Sequence, residues 1–162
     1  MSDMSSGYRR GKKSTRQRVG TGMDIDAAIE FARPFNNGVL VTVKRDGRPQ
    51  LSNISYAINA HGEILISITV KRAKFANMQR DPRVSLHVSQ PNFWGYVVFD
   101  AEARLSPVAA AADDSTVDEL VHLFKAIQGE HPDWNEYRNA MVTDRRTVVH
   151  LRPTHAYGMI GN

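Results

Sequence analysis

Two hydrophobic periods alternate along this chain. Ile64, Ile66 and Ile68 alternate with Leu65, Ser67 and Thr69, the two-residue period of a strand. After Lys71-Arg72-Ala73-Lys74 the spacing lengthens, and Phe75, Met78 and Gln79 fall at helical intervals as far as Asp81-Pro82. Proline disfavours helical geometry in the residue before it, so this helix should stop near Arg80.

The rest of the chain switches period in the same way. Ile25, Ala28, Ile29 and Ala32 predict a first helix. Asp24-Ile25-Asp26 supplies carboxylates for its free N–H groups, and Pro34 with Asn36-Asn37-Gly38 ends it. Val39–Lys44 is apolar at nearly every position, which predicts a strand buried on both faces. Asp46-Gly47 then marks a hairpin into a strand over Pro49–Asn59. There Ile54, Tyr56 and Ile58 share one side, and Asn53, Ser55 and Ala57 the other. His61-Gly62 turns the chain into the Ile64 strand, and further strands are expected at Val84–Ser89 and Tyr96–Leu105. Val117, Leu120, Val121 and Phe124 predict a helix reaching Gln128, with Ser115/Asp118 or Thr116/Glu119 as a capping box. A shorter helix over Trp134–Met141 follows, then two last strands, Thr147–Leu151 and Thr154–Met159, divided by Arg152-Pro153. Six or seven mostly hairpin-linked strands with peripheral helices predict a mainly β (α+β) antiparallel barrel.

Composition narrows the possibilities. The 162 residues suit one domain with a single core. There is no cysteine, which excludes a disulfide scaffold, thiolate catalysis and cysteine-held metal. No apolar run approaches the roughly 20 residues that span a bilayer, and the N-terminal cations are not followed by the apolar segment of a secretory signal. A cytoplasmic protein is expected, with no membrane partner. The net charge of +4 is uneven. Residues 1–22 hold Arg9, Arg10, Lys12, Lys13, Arg16 and Arg18 against Asp3, while the remainder has 15 cations and 16 carboxylates. The basic character therefore belongs to a Ser- and Gly-rich tail, predicted to be disordered, and residues 23–162 form the expected domain. That domain lacks the global basic face of a nucleic-acid binder.

Candidate chemistry gathers near the Lys71–Lys74 turn. Cations sit badly at a helix N-terminus, where the macrodipole and unpaired N–H groups are already positive. A bound anion reverses that sign: Arg72 offers a flat two-pronged donor and Lys74 a mobile point charge. The alternative is a solvated basic turn. Gln50, Ser52 and Asn53 are either an exposed edge or hydrogen-bonding partners for a polar heterocycle. Trp94 and Tyr96 flank Gly95 and either wall a ring-binding cleft or pack at an edge or subunit contact. The histidines show no metal spacing, and His87 and His150 read as core or edge residues. No nucleophile elbow, Walker or dinucleotide-binding glycine pattern is present. If the protein is an enzyme, a bound organic cofactor carries the reaction.

Several segments together resemble a known family. Asp46-Gly47-Arg48-Pro49-Gln50-Leu51-Ser52-Asn53, then Arg72-Ala73-Lys74, Asn77 and Arg80-Asp81-Pro82-Arg83, are similar to the pyridoxamine 5′-phosphate oxidase-like split β-barrel family. His131-Pro132-Asp133-Trp134, Tyr137-Arg138, Met141–Arg146 and His155-Ala156-Tyr157-Gly158 resemble its actinobacterial deazaflavin-dependent branch. The resemblance implies an FMN-binding split barrel and a homodimer with cofactor sites at the subunit interface. It implies Arg72 and Lys74 on the cofactor phosphate, Gln50, Ser52 and Asn53 along the ring, and Ser67 and Val70 at its edge. Trp94 and Tyr96 would approach from the partner. The implied cofactor is F420, with FMN as the alternative. The implied activity is hydride transfer from reduced deazaflavin to a conjugated small molecule. An FMN oxidoreductase or an F420 carrier without turnover are the competing readings. Phe75 departs from the pattern, since relatives often carry Thr or Arg after the lysine.

Overall fold

A computed structural model describes residues 22–160 of the chain; the expected basic tail lies almost wholly outside the described residues. In chain order the elements are α1 (Ile25–Ala32), β1 (Asn37–Val43), β2 (Pro49–Ser55), β3 (Ala57–Ile58), β4 (Ile64–Thr69), α2 (Ala73–Arg80), β5 (Arg83–Ser89), β6 (Tyr96–Leu105), α3 (Ser115–Gln128), α4 (Trp134–Thr143) and β7 (Arg146–Met159). All seven strands form one sheet in the order β2-β1-β5-β6-β7-β4-β3, and every pairing is antiparallel. The two edge strands are consecutive in the chain, separated only by Tyr56. The sheet therefore curls until one bent run of backbone serves both edges. This is the mainly β, split-barrel architecture that the sequence predicts.

Tyr56 fixes the bend. It is fully buried, its amide donates to Asn36 O at 2.8 Å, and its hydroxyl donates to Ala32 O at 2.7 Å. That bond satisfies the polar end of an otherwise apolar side chain and ties the bend to the end of α1. Burial pushes the phenol well above its ordinary pKa. The sequence reads Pro49–Asn59 as one strand. The structure breaks it because its partner changes: β2 pairs with β1 up to Ser55, and β3 pairs with β4.

The barrel interior is filled by Leu40, Ile64, Ile66, Leu86, Val88, Phe99 and Leu151, with Ala28, Ile29 and Ala32 of α1 packed against them. Each large apolar side chain so buried contributes roughly 1.5–3 kcal/mol. A second cluster lies outside the barrel, where Val117, Leu120 and Leu123 of α3 and Tyr137 and Met141 of α4 cover Ala57 and Val148. β7 thus sends Val149 and Leu151 inward and Val148 under the helices, as the two-residue period requires.

Three further expectations need correction. β1 is not buried on both faces: Leu40 and Thr42 point inward, while Val39, Val41 and Val43 are only half-buried, because no element among the described residues covers the outer face. The two last strands are one. A bulge at Asp100/Ala101 pairs Asp100 with His155 and Ala101 with Pro153, so Thr154 is the extra residue and the strand continues past the proline. At α3 the cap is Asp114, whose carboxylate accepts from Val117 N at 2.8 Å, not Ser115 or Thr116.

Candidate functional site

The cleft lies where β2, at one edge of the sheet, faces the part of β4 that runs on beyond the two-residue β3 at the other. α2 begins there, directly after β4, and its N-terminus differs from those of the other helices. α1, α3 and α4 are capped by Asp24, Asp114 and Asp133, each accepting backbone N–H groups. α2 has Arg72 at that position, with no side-chain cap and no acidic residue in the first turn. Lys74 follows in the same turn, and its ammonium donates to Ser52 Oγ at 3.0 Å. Burial, and secondarily the charge of Arg72, hold the Lys74 pKa below the ordinary lysine value. Two cations and uncapped N–H groups converge at one place, the signature of an anion site. Gln50, Ser52, Asn53, Lys71, Arg72, Ala73 and Lys74 enclose a hollow of about 570 Å³ at this point.

Asn77 organises the β2 wall of that hollow. It is 6% exposed and sits one turn into α2. Its Oδ1 accepts from Arg80 Nη2 at 3.1 Å, and its Nδ2 donates to Thr42 Oγ1 at 3.0 Å and to Gln50 Oε1 at 2.7 Å. The orientation is forced, since a guanidinium has only donors and the Asn77 oxygen must face it. The Asn77 NH2 then faces Gln50, whose oxygen turns inward. Its own NH2 is left without a protein partner among the described residues, in a side chain that lines the hollow. Arg80 also donates to Val43 O at 2.6 Å, so α2 is fastened to β1 and β2 together.

A second hollow of about 380 Å³ adjoins the first and shares Asn53 and Lys74 with it. Ser67 lines it, and Ser67 Oγ accepts from Arg146 Nη1 at 3.1 Å. Arg146 opens β7 directly after Arg145, which adopts left-handed backbone geometry (φ 51°). Such a conformation is costly for a residue with a Cβ. Here it turns α4 sharply into β7. Val70 N donates to Arg145 O at 3.3 Å, which ties the turn before α2 to the same corner.

The structure thus brings together Gln50, Ser52, Asn53, Arg72 and Lys74 around one hollow and Ser67 around the next. Gln50 and Ser52 are on the inward face of β2, whereas Asn53 is exposed on the other face and borders both hollows from the edge. Val70 lines neither. Trp94 and Tyr96 are not beside Lys74 within this chain. Trp94 is 74% exposed, and Tyr96 stacks on His87 with ring centroids 5.4 Å apart. They belong to the uncovered outer face of the sheet, beside a wider hollow of about 860 Å³ that has Phe93, Asn37 and Ser55 in its wall and no charged side chain. Arg146 is the site residue that sequence reasoning missed. Its sequence signal is the Asp144-Arg145-Arg146 run, which by itself reads as a local charge pair.

Other titratable groups serve the scaffold. His150 Nε2 lies 2.6 Å from Glu119 Oε2 and 3.1 Å from Ser106 Oγ, pinning α3 to β7. Among the described residues no group of three or more His, Cys, Asp or Glu is arranged to hold a metal, and no helix is long and apolar enough to cross a membrane. The cleft offers cations, amides and hydroxyls, groups suited to binding and orienting an anion.

The sequence profile of the family described as pyridoxamine 5′-phosphate oxidase matches residues 25–159. Among solved structures, a conserved hypothetical protein from Mycobacterium tuberculosis is similar, with 22% identity, coverage of 90% of each chain and a TM-score of 0.66. A protein named F420 reductase is 22% identical over 82% of this chain and 94% of its own, with a TM-score of 0.61. The heme storage protein HutZ from Vibrio cholerae is 18% identical over 86% and 98%, with a TM-score of 0.63. At these identities the three structures share the fold.

Proposed function

The chain belongs to the pyridoxamine 5′-phosphate oxidase family, and from that premise we propose that it is an oxidoreductase that binds F420 and reduces a conjugated small molecule. The observation that carries this reading is α2, where Arg72 takes the place of the aspartate cap found on each of the other three helices. That helix start is unfavourable until an anion occupies it. When bound, the reduced deazaflavin supplies the hydride. The chain's own residues bind and orient. Arg72 and Lys74 take the phosphate, and Gln50, Ser52 and Asn53 run along the ring. Ser67 lies at its edge, while Val70 lines neither hollow. Ser52 already accepts from Lys74, which holds the ammonium in place before the anion arrives.

Phe75 bears on the choice of cofactor. It packs against the barrel core and supplies no donor. An anion at α2 then meets two side-chain cations and backbone N–H groups. That suits the singly charged phosphodiester of F420 better than the terminal phosphate of FMN. The uncovered outer face, with Leu51 at 61%, Phe93 at 74% and Trp94 at 74% exposed, is the surface on which we expect a second copy, forming a homodimer. Trp94 and Tyr96 would then reach the partner's cofactor.

Titrating the protein with F420 and with FMN, and then following reoxidation of reduced F420 by an enone, tests the reading. Saturable F420 binding tighter than FMN, with substrate-dependent reoxidation, is expected. Binding without reoxidation by any conjugated acceptor would instead support a carrier. No binding of either cofactor would refute the proposal.

A further inference from the structure

The second hollow has a lining of two unlike chemistries. The strands and α2 supply Ser67, Lys74 and Arg146 to its lining, whereas α3 supplies Leu123, Phe124 and Ile127 and α4 supplies Met141. No Asp or Glu lines it. Tyr137 also borders it, but its hydroxyl is spent on Leu120 O at 3.0 Å, so it presents only its ring. Arg146 is under-used as a structural cation. Among the described residues its side chain makes one hydrogen bond, to the neutral Ser67 hydroxyl, and its Nε is buried without a partner. The carboxylate of Asp144 stands 3.7 Å from that Nε, beyond hydrogen-bond reach, and is half-exposed. A partly desolvated guanidinium with free donors, lining the same hollow as apolar and aromatic side chains, is complementary to an amphiphilic anion.

We propose that this hollow is the substrate site and that it takes a flat, conjugated, apolar carboxylate. The carboxylate lies on Arg146 beside Ser67, and the apolar body lies against Phe124, Ile127 and Met141. Assigning the occupant as substrate rests on the cofactor reading above; the binding itself does not. The shared Lys74 and Asn53 place the occupant next to the cofactor hollow. Arg146 thereby becomes the residue that selects acids over their neutral analogues, and the α3–α4 pair sets how large the apolar body is.

Calorimetric titration with 2-naphthoate and with the neutral 2-naphthalenemethanol tests this. The wild-type protein should bind naphthoate at least tenfold more tightly than the alcohol. Arg146→Gln should erase that preference while leaving alcohol binding within threefold. Because Arg146 also bonds Ser67, its loss could loosen the fold, so Ile127→Trp provides an independent check. It fills the hollow from the helix side and should abolish binding of both probes with the melting temperature retained. Equal affinity for acid and alcohol, or a preference that survives Arg146→Gln, would overturn the proposal whatever happens with F420. Failure of F420 to bind, with the naphthoate preference intact, would overturn the cofactor reading instead.

Discussion

Replacing Asn77 by alanine removes three hydrogen bonds from one buried point. Thr42, 1% exposed, loses its Asn77 partner, and a buried polar group left unsatisfied costs about 1–3 kcal/mol. The bonds to Gln50 and Arg80 are partly solvated and contribute about 0.5–1.5 kcal/mol each at most. Arg80 keeps its bond to Val43 O, which limits the loss. The expected destabilisation is then about 2–4 kcal/mol, a fall in melting temperature of roughly 7–14 °C for a domain of this size. Asn77→Asp separates stability from binding. It keeps an acceptor for Arg80 but has no NH2, so Gln50 must rotate and offer its oxygen, not its NH2, to the hollow. F420 affinity should fall about three- to tenfold, or roughly 0.7–1.4 kcal/mol, with a smaller thermal shift than alanine produces. Thermal unfolding and F420 titration of both variants measure this. A melting temperature within 2 °C of wild type for Asn77→Ala, or wild-type affinity in Asn77→Asp, would refute the argument.

Glu119→Ala should strand His150 and Ser106, both more than nine-tenths buried, and cost about 1.5–3 kcal/mol in urea unfolding; a neutral result would show that the network is not structural. Gly158→Ala would drive a Cβ into the backbone of Tyr96 and Val97, so soluble expression and the β6–β7 end should suffer, and an unchanged melting temperature would contradict the close approach. The depressed Lys74 pKa means that the unfolded chain binds more protons here than the folded one at alkaline pH. The penalty is complete below the folded pKa and fades as pH rises towards the unfolded value. Lys74→Met should therefore stabilise the empty protein at pH 7 and lose that advantage towards pH 10; an advantage independent of pH would assign it to packing alone.

Most of the fold was legible because local period and turn chemistry agree with the final partners. Asp46-Gly47 sits in the β1–β2 hairpin, and Pro82 follows the end of α2. The breaks that were misplaced depend on what lies alongside. Alternation runs unbroken through Ile54, Tyr56 and Ile58, so nothing local announces that the chain changes partner at Tyr56. Arg152-Pro153 reads as a strand end, yet β6 is long enough to hold both halves across a bulge. The cations at the start of α2 were legible because they are written within four residues, Lys71 to Lys74. Arg146 was not, because its meaning comes from Ser67, 79 residues away, and from an apolar wall on two other helices. The outer face of β1 looked like core because its apolar residues are real, but nothing among the described residues covers them.

The measurement that bears most directly on the account is F420 affinity in Arg72→Ala and Lys74→Ala, with the melting temperature of each empty variant. Charge-assisted bonds to a phosphate are worth roughly 1.5–3 kcal/mol each, so each substitution should weaken binding by about one to two powers of ten. The empty variants should melt at the wild-type temperature or above it, because a cation has left the positive end of α2. Unchanged affinity together with lost stability would make Arg72 and Lys74 structural and would contradict the cofactor site at its centre.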